Sequence, residues 1–298
     1  MSKIFYFNVT YGCNNNCVFC YSHNTTHNAK TYKELSYDEF SAYLKDSRVK
    51  PEDRVIINGG EPTLHSQLVE LLKLLDEIGC ETLIYTNGRQ LSKLYENKYK
   101  NRFRIIVPIH GDEETHDFIT GVSGSYRDTI QELKTITDNG DFDVDIKLIL
   151  NTYNICDEAT YESYLQSLSN ISFNNYVHIT KMAETVISKR NNIKSMSNMQ
   201  VSEYIKRLFD YFVAKETKVK LFDTCIYDIM EHYNPSINLD ERDIEVYFKD
   251  YSQEREITLF DKKDDECSGC KYKRYCRSAV NEYKVLEYNN KGFSYELE

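Results

Sequence analysis

The chain has 298 residues, enough for one large or two ordinary domains, and its 41% apolar residues are enough to build a sizeable core. Lys and Arg number 37 against 47 Asp and Glu, so the net charge of -10 excludes a general electrostatic footprint for nucleic acid or an anionic membrane and leaves only a local basic patch open. No run of about 18 apolar residues spans a bilayer and no apolar N-terminal stretch reads as a signal peptide, which points to the cytoplasm; in that reduced compartment nine closely grouped cysteines point to metal rather than to disulfides.

Short apolar runs alternate with longer amphipathic ones. Ile4 to Val9 reads as a first strand, followed by a helix from Tyr37 to Lys45. Arg54 to Asn58 is followed by a helix from Leu64 to Ile78, Glu81 to Tyr85 by Gln90 to Tyr99, and Phe103 to Ile109 by Tyr126 to Asn139. Asp143 to Leu150 with Ala159 to Asn170, and Tyr176 to Lys181 with Ser202 to Ala214, complete six β-α pairs. Such alternation predicts an α/β fold with a parallel sheet and right-handed crossovers. Six units make a partial (β/α)6, TIM-like barrel, whose open side suits a large substrate. The composition shifts near residue 215, dividing a barrel of residues 1–214 from a small cysteine-rich domain of residues 215–298.

Directly after the first strand comes Tyr11-Gly12-Cys13-Asn14-Asn15-Asn16-Cys17-Val18-Phe19-Cys20-Tyr21. Gly12 permits a tight entry and Asn14 to Asn16 tolerate irregular backbone, so this C-x3-C-x2-C loop can turn three thiolates toward one point. A structural zinc or an electron-transfer cluster takes four protein ligands, whereas three thiolates leave one metal position open to a small molecule. Loops at the carboxyl ends of strands hold the chemistry of α/β sheets and barrels, which favours catalysis here. The alternatives are a zinc loop completed by His23 or His27, and three unrelated buried thiols.

With this spacing and an aromatic, Phe19, before the third cysteine, the loop resembles the signature of the radical S-adenosylmethionine (SAM) superfamily. The resemblance implies that Cys13, Cys17 and Cys20 hold a [4Fe-4S] cluster. Its open iron would chelate the amino and carboxylate groups of SAM, and one electron would split the sulfonium to a 5′-deoxyadenosyl radical. Phe19 would lie beside the adenine. After the second strand, Asn58-Gly59-Gly60-Glu61-Pro62-Thr63 offers two glycines for close backbone approach to a ligand, an anionic acceptor and a rigid turn. It is similar to the family's GGE motif, whose backbone and glutamate engage the SAM ammonium; an ordinary turn is the alternative.

Tyr85-Thr86-Asn87-Gly88 is similar to the family's TNG, which would put Thr86 and Asn87 on the SAM side. Strand four ends Val107-Pro108-Ile109-His110-Gly111, with His116-Asp117, Gly121 and Gly124-Ser125 beyond. Relatives carry Ser-Ile-Asp-Gly, then His-Asp and an arginine that holds the SAM carboxylate. Here Pro108 stands where that serine falls, His110 where the aspartate falls and Thr120 where the arginine would be. His110 and Ser125 remain candidates for the SAM side. Lys147 on strand five would supply the missing cation, and Asn151 at that strand's end a polar contact to the ribose. A strand-end lysine and a satisfied turn histidine are the plain alternatives.

The last segment holds Cys225, then Cys267-Ser268-Gly269-Cys270 and Cys276, four thiolates suited to a closed cluster or to zinc. In this context the set resembles the shortened SPASM, or "twitch", extensions of peptide-modifying radical SAM enzymes, which implies one auxiliary [4Fe-4S] cluster. Nearby Lys271, Lys273 and Arg274 would offset its negative charge. Cys80 and Cys156 fall alone and read as small buried hydrophobes.

The expectation is a radical SAM maturase of a ribosomally made peptide, forming a thioether, a crosslink or an oxidation, with flavodoxin or ferredoxin as electron donor. No leader-binding wing precedes the first strand, so leader recognition falls elsewhere. Oxidation or rearrangement of a sugar or nucleoside is the runner-up. Glycyl-radical activation of a partner protein is disfavoured, because roughly 80 residues, a small domain's worth, follow the barrel. A non-catalytic iron-sulfur or zinc protein is the reading of another class.

Overall fold

The computed structural model describes residues 3–21, 34–222, 227–233, 245–249, 271, 284–289 and 292–297. In chain order these form β1 (Lys3–Thr10), α1 (Tyr37–Asp46), β2 (Arg54–Gly59), α2 (Leu68–Ile78), β3 (Glu81–Tyr85), α3 (Ser92–Tyr95), β4 (Arg104–Ile109), α4 (Glu113–Thr120) and α5 (Ser125–Asn139). There follow β5 (Asp143–Leu150), α6 (Glu158–Ser167), β6 (Tyr176–Lys181), α7 (Val186–Arg190), α8 (Asn198–Val213), β7 (Lys218–Phe222), α9 (Tyr227–Tyr233), β8 (Glu245–Lys249), β9 (Lys284–Asn289) and β10 (Gly292–Leu297).

Strands β1 to β7 pair in parallel, each beside its neighbour in sequence. Helical crossovers joining sequential parallel strands give the partial barrel the alternation predicts. The six expected strands become seven. Lys-Val-Lys-Leu-Phe in β7 alternates charge with apolar residues, which hides a strand that is inside the sheet. Among the described residues the sheet has ten strands in the order β10-β9-β7-β6-β5-β4-β3-β2-β1-β8. β8 runs parallel to β1, and β9, antiparallel to β7, carries the hairpin partner β10. The barrel sheet therefore does not stop at residue 214.

Alternation along the strands divides the side chains between two faces. Phe5, Phe7, Val55, Ile57, Ile84, Ile105 and Val107 pack in the main core with Leu71, Leu72 and Leu75 of α2. The opposite row forms a small inner cluster of Ile4, Ile56, Leu83 and Ile106, flanked by Tyr6 and Tyr85. Farther along, that row turns polar, where the fully buried Asp145 and His178 pair at 2.7 Å.

The helices differ from expectation at their ends. A 3-10 turn, Pro62–Leu64, precedes α2, which ends on the left-handed Gly79. α3 has only four residues, because the chain beyond it winds onto Asp76, whose carboxylate accepts from Lys100 N, Asn101 N and Asn101 Nδ2. α4 and α7 are additions to the predicted set, each begun by a side-chain cap, Asp112 and Thr185. Among the described residues no helix is long and apolar enough to cross a membrane.

Candidate cluster site

The cysteine loop leaves β1 and is fastened at once to the loop after β2. Thr10 O accepts from Gly60 N and Gly12 O from Glu61 N, both at 2.7 Å. A Cβ on Gly59, where φ is +140°, would stand 2.4 Å from Thr10 O, and one on Gly60 would stand 2.3 Å from Gly12 O. These glycines are thus required by contact between two stretches of this chain's own backbone, where the sequence suggested contact with a ligand.

The loop's other side meets the end of α4, with Asn16 N donating to Thr120 O at 2.7 Å and Val18 N to Ile119 O at 2.9 Å. From the loop after β6, Thr185 Oγ1 donates to Phe19 O at 3.2 Å and Asn191 Nδ2 to Val18 O at 2.7 Å. From the loop after β3, Asn87 Nδ2 donates to Asn14 Oδ1 at 2.6 Å, and Arg89 Nη1 to Asn14 O at 2.7 Å and Asn15 Oδ1 at 3.0 Å. Four different crossover regions therefore shape one loop.

Cys13, Cys17 and Cys20 are half-buried and carry no disulfide. Burial pushes the Cys13 thiol up to about 12, countered by the N–H of Asn15 at 3.4 Å and raised further by Glu61 and Cys20. The Cys17 thiol is driven up by burial and then by Cys20 and Cys13, while a hydrogen bond from the Asn15 side chain pulls it back. Cys13 and Cys17 therefore resist ionisation as they stand. Such a set needs positive charge to ionise, and iron supplies it.

No group of three or more His, Cys, Asp or Glu side chains among the described residues is drawn together tightly enough for one metal ion. An iron-sulfur cluster takes its thiolates on different irons and so fits a wider spread. His23 and His27 lie outside the described residues, as do Cys225, Cys267, Cys270 and Cys276. Cys80 is buried, as read, but Cys156 is exposed.

The remaining candidates separate by what holds them. Glu61, fully buried, accepts from Thr63 N, Thr63 Oγ1, Thr86 Oγ1 and Asn87 N. Thr86 Oγ1 in turn accepts from Gly88 N. Ser125 Oγ is buried between Asp117 Oδ1 and Thr120 Oγ1, so the hydroxyl is committed to the joint of α4 and α5. Asn151 donates from Nδ2 to Ile149 O and accepts at Oδ1 from Tyr153 N, closing its own loop. Lys147, at a register position beside Pro108 and His178, has Nζ 5.2 Å from the centre of the Tyr85 ring.

Phe19 and His110 meet edge to face at 5.4 Å, and His110 stacks obliquely on His116 at 5.3 Å. The His110 ring is held well below the usual imidazole range by burial and then by His116, so it is neutral. Its buried Nδ1 has no hydrogen-bond partner among the described residues. A buried ring nitrogen in that condition, at the loop's aromatic, fits a polar group of a bound nucleoside. Sequence reasoning missed Asn15, Arg89 and Asp128. Arg89 follows the Thr86-Asn87-Gly88 turn directly, and that adjacency was the available signal.

A parallel partial barrel with a three-thiol loop at the carboxyl end of its first strand defines a class of enzymes built around a cluster with an open coordination position. Residues 7–163 match the family model described as the radical SAM superfamily. A protein of Methanocaldococcus jannaschii named as a glycyl-radical enzyme activating enzyme is 30% identical over 213 residues, 67% of this chain and 81% of its own length. The chain belongs to the radical SAM superfamily and is an enzyme; the family implies a [4Fe-4S] cluster and SAM.

An AdoMet-dependent heme synthase of Methanosarcina barkeri is 24% identical over 73% of this chain, which spans 60% of that protein. In fold, the AdoMet-bound anSMEcpe matches with TM-score 0.55 at 16% identity, over 70% of this chain and 57% of its own. Streptococcus suis SuiB bound to precursor peptide SuiA matches with TM-score 0.52 at 18% identity, over 72% of this chain and 46% of SuiB.

Proposed function

We propose that this enzyme cleaves SAM reductively and removes a hydrogen atom from a ribosomally made peptide, leading to a thioether, a crosslink or an oxidation. The observation that carries this reading is the openness of the sheet, whose order begins at β10 and ends at β8 without closing among the described residues. A polypeptide can reach the carboxyl ends of such strands more readily than those of a closed barrel. SuiB, of like fold, is bound to a precursor peptide.

Cys13, Cys17 and Cys20 would hold a [4Fe-4S] cluster, which would supply the electron for the reductive cleavage of SAM. The chain's part is to bind, orient and exclude water. Thr86, Asn87, Ser125 and Asn151 spend side-chain groups on the chain itself. With those side chains committed, the proposed contacts to SAM are backbone carbonyls of Gly59-Gly60-Glu61, the N–H groups of Gly60 and Glu61 being bound to Thr10 O and Gly12 O, together with Phe19 and His110 for the adenosyl group and Lys147 for the carboxylate. Cys225, Cys267, Cys270 and Cys276 are the proposed ligands of an auxiliary cluster, on their spacing alone, with flavodoxin or ferredoxin as electron donor.

Glycyl-radical activation of a partner protein is the second reading. The Methanocaldococcus jannaschii relative favours it, and the objection from the residues after position 214 weakens because β7 to β10 join the barrel sheet. Anaerobic reconstitution with SAM and dithionite is expected to release 5′-deoxyadenosine from the wild type and none from Cys13→Ala. A mass change in a co-encoded peptide supports the first reading; a persistent glycyl radical signal in a partner protein replaces it with the second. Iron for two clusters, falling to one in Cys270→Ala, checks the auxiliary site.

A further inference from the structure

We infer that Lys220 and His178 form a carboxylate-binding subsite on the inner wall of the barrel, beside the place given to SAM, which seats an acidic group of the substrate; this rests on the proposed peptide reading. Register puts Lys147 on β5, His178 on β6 and Lys220 on β7 side by side in one row. The alternate residues of those strands, Val144, Ile146, Val177, Ile179, Val219 and Leu221, pack in the main core, so the row faces inward.

The row lies next to the cysteine loop. Ile149, two residues beyond Lys147 on the same face, packs against the cluster of Phe19, Ile119 and Met182. Two residues of strand advance only about 7 Å. The two lysines lean apart along the wall: Lys147 Nζ is 5.2 Å from the ring centre of Tyr85 on β3, and Lys220 Nζ is 4.4 Å from that of Tyr176 on β6. With Lys147 given to the SAM carboxylate, Lys220 offers a second, separate cation for a second carboxylate.

His178 stands between them and is fixed from below. Its Nε2 donates to Asp145 Oδ2 at 2.7 Å, while Asp145 Oδ1 accepts from Tyr176 N at 3.1 Å. Nδ1 is then the polar atom that the ring brings to the subsite. In a chain of net charge -10 this wall is basic, since Arg104 and Lys218 also approach the Tyr176 ring, at 5.8 Å and 5.1 Å; Arg104 Nη1 is 3.6 Å from Glu81 Oε1. Asp145, His178 and Lys220 are fully buried, and away from bulk water an ammonium attracts a carboxylate far more strongly than at a surface. A ring face holds the ammonium without consuming its N–H donors.

The test is isothermal titration calorimetry of the anaerobically reconstituted full chain with SAM bound, using three small probes. N-acetylglutamate α-N-methylamide carries a side-chain carboxylate, N-acetylglutamine a terminal one, and N-acetylglutamine N-methylamide neither. At least one acidic probe is expected to bind about tenfold more tightly than the neutral one, and which of them does so tells a side chain from a C-terminus. Lys220→Met, similar in length but uncharged, is expected to lose that preference, and Lys220→Arg to keep it. A wild type that favours neither acidic probe overturns the inference, whether or not Lys220→Met folds. So does a folded Lys220→Met that keeps the preference, and so does inorganic phosphate binding more tightly than either carboxylate. A co-encoded peptide of unchanged mass removes the peptide reading underneath; a modified peptide with no preference among the probes removes the subsite alone.

Discussion

Glu61 ties three loops together, the cysteine loop through its backbone and the other two through its carboxylate. Its backbone N–H reaches Gly12 O in the cysteine loop, while its oxygens take Thr63 N at 3.0 Å, Thr63 Oγ1 at 2.7 Å, and Thr86 Oγ1 and Asn87 N at 2.6 Å each. Burial raises its pKa, and those donors oppose the rise. Glu61→Gln turns an NH2 against a donor, Asn87 N–H being the natural victim, so the iron-free chain is expected to lose about 1–3 kcal/mol. Urea unfolding checks this, and an unchanged midpoint would return Glu61 to a purely ligand-binding role. Gly60→Ala is expected to fare worse, since a methyl group 2.3 Å from Gly12 O forces the two backbones apart. Equal cluster content in Gly60→Ala and wild type would refute that. The motif around Glu61 was legible in the sequence, but its partners were not. A carboxylate after two glycines looks the same whether it faces a ligand or its own chain, and Thr86 lies 25 residues away.

At the scale of elements, α4 is the least anticipated part of the site. Asp112 caps it, Gly121 ends it in the left-handed region, and Thr120 and Ile119 offer their carbonyls to the cysteine loop. Apolar periodicity is weak over Glu-Glu-Thr-His-Asp-Phe-Ile-Thr, so only the caps announce the helix. Its buried His116 accepts at Nδ1 from His110 N, and burial pulls its pKa from 6.5 down to about 4. The folded chain therefore refuses a proton that the unfolded chain accepts. Stability from this group is whole above about pH 6.5 and declines as the pH falls toward 4, by about 3 kcal/mol in all. His116→Asn, whose Oδ1 can stand in for Nδ1, is expected to flatten that part of the curve in urea titrations from pH 7 to pH 4. An unaltered slope would place the acid sensitivity elsewhere. α3 fails in the other direction. Its predicted ten residues shrink because the Asp76 carboxylate captures the backbone of Lys100 and Asn101, a competition that apolar spacing cannot register.

For the molecule as a whole, strand order followed from the alternation of short and long apolar segments, because a parallel sheet must spend a helix on each crossover. The seventh strand did not, since Lys218 and Lys220 interrupt its apolar run although Lys220 is fully buried. The grip on the cysteine loop comes from backbone carbonyls and amides, Asn87, Arg89, Thr185 and Asn191. None of these contacts passes through a metal. Unlike small domains whose folding energy is metal binding, this chain is expected to keep its far-ultraviolet circular dichroism and cooperative unfolding after iron is removed by a chelator. Collapse of the spectrum on chelation would contradict it.

A loop held in this way outlasts its cargo. Air that bleaches the iron would leave behind a mould still shaped for it, so recovery would call for fresh iron and sulfide rather than a newly made polypeptide.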